Sequence, residues 1–233
     1  MQGYDKELRK INKPLPAFLN TWKAMIAPVI FLVFALFNWY SPVVSPVKYI
    51  TVFFHELSHG VAAIATGGSI EKITLSYRFG GVCYTRGGNR FIILNAGYVG
   101  SLLWGALILI SACKLQFKRE LTVALGFLLF FVAAIWIRNM EGLVISIFTG
   151  AALIGIAKYG SEILCDQILR SIGLISCFYA IFDIKSDAID RTIESSDAYK
   201  IGQMFSVPDW FVGIIWIIIS AFITWRVLKY CFK

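Results

Sequence analysis

Residues 45–67, S-P-V-K-Y-I-T-V-F-F-H-E-L-S-H-G-V-A-A-I-A-T-G, read as one apolar helix interrupted once, by His55-Glu56-Leu57-Ser58-His59. At about 3.6 residues per turn the two imidazoles lie one turn apart on one face, the separation that lets both grip a single metal ion, with Glu56 beside them. The chain holds two histidines in 233 residues, and both are here. A charged or imidazole side chain in an apolar span costs ~2.5–3.5 kcal/mol on insertion scales, so such a cluster persists because it is used. A catalytic zinc takes three protein ligands and leaves a fourth position for water, so a third ligand is expected from elsewhere in the chain.

The setting of that helix is apolar throughout. The chain is 58% hydrophobic and 15% charged, with a mean hydropathy of +0.71. Average soluble domains carry about 25% charged residues, so the expected fold class is an all-α polytopic membrane protein. A formal charge of +8 does not point to nucleic acid as a partner, because the basic residues are scattered between apolar runs with no aromatic-basic cluster. Lipid headgroups explain them better. Cys83, Cys113, Cys165, Cys177 and Cys231 form no C-x-x-C pair, which excludes a thiolate zinc site and a disulfide framework. The polar, basic start M-Q-G-Y-D-K-E-L-R-K shows no removable signal peptide.

About 20 apolar residues cross a bilayer core. That measure gives about seven transmembrane helices, at 23–40, 46–66, 89–112, 121–138, 142–158, 165–184 and 209–228, after an N-terminal segment 1–22. Short connections make residues 23–233 a single membrane-embedded domain. Lys6, Arg9, Lys10, Lys13 and Lys23 place the N-terminus in the cytoplasm by the positive-inside tendency, as a multi-pass protein of the cell membrane. On strict alternation the second and sixth spans then run in the same direction, and the segment after the second span returns to the side of the N-terminus.

That segment, residues 67–88, is punctuated by glycine. Residues 73–77 alternate in strand fashion, Gly80-Gly81 reads as a turn, and Val82 to Thr85 as the return strand of a short β-hairpin between the second and third spans. A hairpin beside a metal helix offers an edge to which an extended peptide can add as a further strand. In the third span Ala96, Gly97, Gly100, Ser101 and Gly105 suit close packing against the metal helix, and Asn95 is a candidate to support substrate or helix contacts. Phe53 and Phe54 line either a pocket or lipid. The fourth and fifth spans are walls, with a small-residue face at Gly150, Ala151, Ala152 and Gly155.

Only Glu56 and Asp183, of 14 carboxylates, fall within a hydrophobic run. An aspartate at such depth wants a cation, so Asp183 is the favoured third ligand and Asp187, one turn on, the alternative. Beyond it, Ser196 or Asp197 reads as the N-cap of a short helix.

With these residues in place, the chain resembles the site-2 protease family of intramembrane zinc metalloproteases, in its compact B-like branch. The resemblance rests on S-P-V-K-Y-I-T-V-F-F-H-E-L-S-H, G-G-V-C-Y-T-R-G-G, A-G-Y-V-G-S-L-L-W-G, and F-D-I-K-S-D-A-I-D-R followed by S-S-D-A. It implies that His55 and His59 bind Zn2+, that Glu56 is the catalytic base, and that an aspartate from a later span completes the site. The expected function is hydrolysis of peptide bonds in transmembrane protein substrates. The N-x-x-P-x-x-x-x-D-G segment of better-studied members is absent, and Asp183 and Asp187 stand in its place. Two other readings compete: a catalytically silent zinc-binding scaffold or chaperone, which makes Glu56 a costly relic, and a metal-ion transporter, which the lack of internal repeats disfavours. Two histidines are too few for a di-iron oxidase.

Overall fold

The computed structural model describes residues 22–76, 80–184 and 196–232; Asp187 lies outside them. A 3-10 turn, Trp22–Met25, leads into α1 (Ile26–Phe37), and α2 (Ser45–Ala65) carries the histidines. Strands β1 (Ser69–Leu75) and β2 (Gly81–Arg86) follow, then α3 (Arg90–Lys114), α4 (Lys118–Ile135), α5 (Met140–Tyr159) and α6 (Glu162–Cys177). The chain ends with the short α7 (Tyr179–Ile184), α8 (Asp197–Phe205) and α9 (Asp209–Cys231).

Among the described residues, α3, α5 and α9 are long and apolar enough to cross a membrane. Their outward faces are large and hydrophobic, with Phe148 75% and Ile218 63% exposed, the surface of a protein solvated by lipid. The other helices fall short for identifiable reasons. Lys48, His55, Glu56 and His59 lower the hydropathy of α2, Lys118-Arg119-Glu120 open the 18-residue α4, and α6 has 16 residues including Asp166 and Arg170. The span expected at 165–184 is two helices. The chain breaks at Phe178, and α7 sets off separately, with Phe182 stacked on Trp39 at 3.9 Å.

Helix α3 is the spine. On one side it packs against α2, where a Cβ at Gly100 would fall 1.9 Å from Ser58 Oγ, and on the other against α6, where a Cβ at Gly105 would fall 2.6 Å from the Cys177 backbone N. The small residues of the third span therefore serve two neighbours: Gly97 and Gly100 face the metal helix, and Gly105 meets α6. In the expected face on α5, Gly150 packs against Gly126 of α4, whereas Gly155 has open space around it and Ala151 and Ala152 are exposed.

Contacts along α6 fix the chain directions. Thr51 meets Ser176 and His55 meets Tyr179, so α2 runs with α6, as the sequence suggests. Yet Gln167 donates to the Ala24 carbonyl, Arg170 reaches Met25 Sδ, and Trp39 meets Phe182, so α1 runs with α6 as well. Strict alternation fails here. The apolar helical run Trp22–Phe37 is shorter than the ~20 residues that cross a bilayer core, and after the turn at 38–44 α2 continues in the same direction.

The hairpin is antiparallel, with Ile73 opposite Cys83 and Leu75 opposite Gly81. The far edge of β1 is occupied. Ile73 N–H donates to the Trp136 carbonyl at 2.8 Å, Arg138 N–H returns to the Ile73 carbonyl at 3.1 Å, and the Asn139 amide bridges both backbone groups of Leu75. Gly87 and Gly88, at φ 70 and 79, turn the chain from β2 into α3.

Candidate metal centre

Regular helix geometry presents His55 and His59 on one face of α2, their rings 4.7 Å apart and near-perpendicular. Both are buried, 5% and 7% exposed, as is Glu56 at 6%. They lie level with Gly97 of α3, where a Cβ would sit 2.5 Å from His55 Nε2 and 2.7 Å from His59 Cε1. Glycine at 97 is thus required for α3 to approach the imidazoles this closely. Gly97 is roughly 10 Å from the start of α3, so the pair sits near one end of the bundle rather than at its middle.

The carboxylate that joins the histidines is Asp197. Its Oδ2 lies 3.0 Å from Nε2 of His55 and 3.0 Å from Nε2 of His59. One donor atom from each of the three residues falls within 4.8 Å of the others. Asp197 is the first residue of α8, and Ser196 is the N-cap, its hydroxyl accepting from Tyr199 N–H at 3.2 Å. An apolar cluster holds α8 in place: Ala198 and Ile201 pack with Leu94 and Tyr98 of α3 and Val212 of α9, and Phe205 meets Phe91 edge to face at 5.4 Å.

Asp183, favoured from its depth in the sequence, is not the residue grouped with the two histidines. Its Oδ1 accepts the Tyr179 hydroxyl at 3.1 Å. The difference lies in the partners: Asp183 is engaged with Tyr179 of its own helix, while α8 brings Asp197 against both imidazoles. Depth in a hydrophobic run singles out Asp183, whereas the group that converges is His55, His59 and Asp197. The signal that could have found Asp197 was the S-S-D-A block, whose aspartate opens a short helix ahead of the last span.

Glu56 faces β2. A Cβ at Gly81 would lie 2.5 Å from Glu56 Cγ, and the Cys83 backbone N–H donates to the Glu56 carboxylate. The register explains this. Ile73 and Leu75 turn their backbone groups away from β2, so their partners Cys83 and Gly81 turn theirs to the opposite edge, which is the edge beside Glu56. Among the described residues nothing lies within 4 Å of a Cβ placed at Gly80, and Asn95 gives its amide to the Phe91 carbonyl of its own helix at 2.9 Å. Phe53 and Phe54 are core residues, both 1% exposed, with Phe54 stacked on Trp104 at 5.0 Å.

The donor set fits zinc: two imidazole nitrogens and a carboxylate oxygen converge, and His59 directs Nδ1 at the Ile93 carbonyl 2.6 Å away, the outer contact that fixes a ligand ring. No curated protein and no solved structure gives a significant match to the chain. The family profile described as Peptidase M50B-like matches residues 27–227. With that match spanning nearly all of a chain that carries its histidines and glutamate on one buried helix, the protein belongs to the Peptidase M50B-like family, within the site-2 proteases.

Proposed function

We propose that this protein is an intramembrane zinc metalloprotease that cleaves membrane-protein substrates close to the lipid surface. The observation that carries the reading is the convergence of His55, His59 and Asp197 beside a buried glutamate on the same helix. His55 and His59 would hold Zn2+ through Nε2 and Asp197 through its carboxylate. Zinc in such a site polarises a carbonyl and lowers the pKa of bound water toward about 7.

The chain's own residues supply the rest. Glu56 takes the proton of the attacking water and passes it to the leaving amine. A helical substrate hides its carbonyls in hydrogen bonds, so a segment must be drawn out before it can be cut. The outer edge of β2 is suited to that, because Gly81 turns its backbone groups away from β1 beside Glu56, where an added strand can pair. An extended segment pairing there brings its own backbone to the catalytic carboxylate. We place the chain in the cell membrane with its basic N-terminus in the cytoplasm, on the positive-inside tendency.

The test uses purified full-length protein and a pool of quenched single-span peptides in liposomes. About one zinc per chain is expected, lost in His55→Ala and His59→Ala. Glu56→Gln is expected to keep zinc and lose cleavage. Metal retained in both histidine variants, or unchanged turnover in Glu56→Gln, overturns the reading.

A further inference from the structure

The two imidazoles differ on their outer sides. His59 has the Ile93 carbonyl at Nδ1, whereas the buried Nδ1 of His55 has no hydrogen-bond partner among the described residues. As arranged here His55 turns Nε2 to Asp197 at 3.0 Å, a contact in which that nitrogen donates to the carboxylate. Ligation through Nε2 uses that nitrogen's lone pair and moves the proton to Nδ1. A ligand histidine nearly always donates this second N–H to a carboxylate, a carbonyl or water.

The groups around His55 narrow the choice. Asp197 is engaged at Nε2, and Glu56 is turned toward Gly81 and Cys83. Tyr98 of α3 and Tyr179 of α7 stand edge-on to the imidazole, with ring centroids 5.5 and 5.1 Å away. The Tyr179 hydroxyl donates to Asp183 Oδ1 at 3.1 Å and Tyr98 is a second hydrogen-bonding neighbour, so both rings that flank His55 lead to this carboxylate. A carboxylate has about four acceptor sites, so two tyrosine hydroxyls leave room for a third donor.

We propose that Asp183 is a positioning residue: its carboxylate, steadied by Tyr98 and Tyr179, accepts the Nδ1–H of His55 when that histidine binds zinc through Nε2. The assignment rests on the metalloprotease reading and divides the labour of two aspartates, Asp197 on the ion and Asp183 behind a ligand. Tyr179 and Asp183 stand four residues apart in α7, so the helix that sets Tyr179 against His55 also sets Asp183 beside that tyrosine.

Zinc affinity by chelator competition and the absorption spectrum of the cobalt-substituted full-length chain in detergent test this, with helical content checked for each variant. Asp183→Ala is expected to weaken zinc binding ~10–100-fold while the cobalt spectrum keeps its form. Asp183→Glu should recover part of the loss. Asp197→Asn removes a ligand and should change the spectrum itself. Tyr179→Phe, a milder change, is expected to weaken binding in the same direction and keeps the test decisive if Asp183→Ala fails to fold. Unchanged affinity in both the Asp183 and Tyr179 variants overturns the proposal, and so does an Asp183→Ala spectrum altered like that of Asp197→Asn, which makes Asp183 a direct ligand. Failure of the unaltered protein to bind zinc overturns the metalloprotease reading along with it.

Discussion

Gly81 and Gly97 set how closely the neighbouring backbone approaches the reactive side chains, and each offers a separable test. A methyl group at 97 lands within 2.4 Å of His55 Cε1. Gly97→Ala is therefore expected to push the imidazoles apart and weaken zinc binding ~10-fold or more, with helical content retained. A methyl at 81 meets Glu56 instead, 2.7 Å from Oε1. Gly81→Ala should keep the metal and lower kcat by ~100-fold, because small misplacements of a catalytic group cost about that much. Zinc content and turnover measured on both variants separate the two effects, and equal metal loss in both would contradict this division. His55, Glu56 and His59 were readable from the chain alone because their relation is local, fixed by one turn of helix. The partners Gly81 and Gly97 were visible as glycines, but which side chain each makes room for depends on tertiary register.

At the scale of elements, the helix that delivers Asp197 is short, with nine residues, and owes its position to its cap and to one apolar face. An isolated helix of this length is marginal, so packing must hold it. Ile201, 5% exposed, is the central contact, and Ser196 closes the N-terminus. Ile201→Ala is expected to destabilise the docked state of α8 by ~2–5 kcal/mol and Ser196→Ala by ~1 kcal/mol. Both losses should appear as weaker zinc binding with Asp197 itself untouched; wild-type affinity in Ile201→Ala would show that α8 docks by other contacts. The cap was legible, since serine and aspartate ahead of an amphipathic turn carry their own signal. That the same turn feeds the metal centre was not, because nothing local separates a capped surface helix from one that folds over a buried site. The hairpin was legible from alternation and its glycines, whereas the pairing of β1 with residues 136–138 is a long-range contact with no local trace.

The whole molecule departs most from its sequence reading in direction. Hydropathy marks apolar runs but not which way they point, so α1 and α2 were counted as opposed spans when both run with α6. The buried ion network at one end of the bundle makes this concrete. Arg170, 1% exposed, donates to Asp166 at 2.6 Å and also reaches Cys113 Sγ at 3.2 Å and Met25 Sδ at 3.7 Å. Met25 is thereby tied to the C-terminal end of α3, while the hairpin joins its N-terminal end. The 25 residues of α3 rise about 37 Å, enough to cross a ~30 Å core. Trp22–Met25 and the hairpin beside Glu56 are therefore expected on opposite sides of the membrane, not on the same side as alternation implies. Single-cysteine probes at the exposed positions Lys23 and Glu71, in a chain whose native cysteines are replaced by serine, test this in sealed vesicles. A membrane-impermeant maleimide added outside should label one probe and reach the other only after the vesicles are opened. Labelling of both from the same side would restore seven alternating spans and require α1 to run against α6, breaking the Met25–Arg170 and Trp39–Phe182 contacts at once.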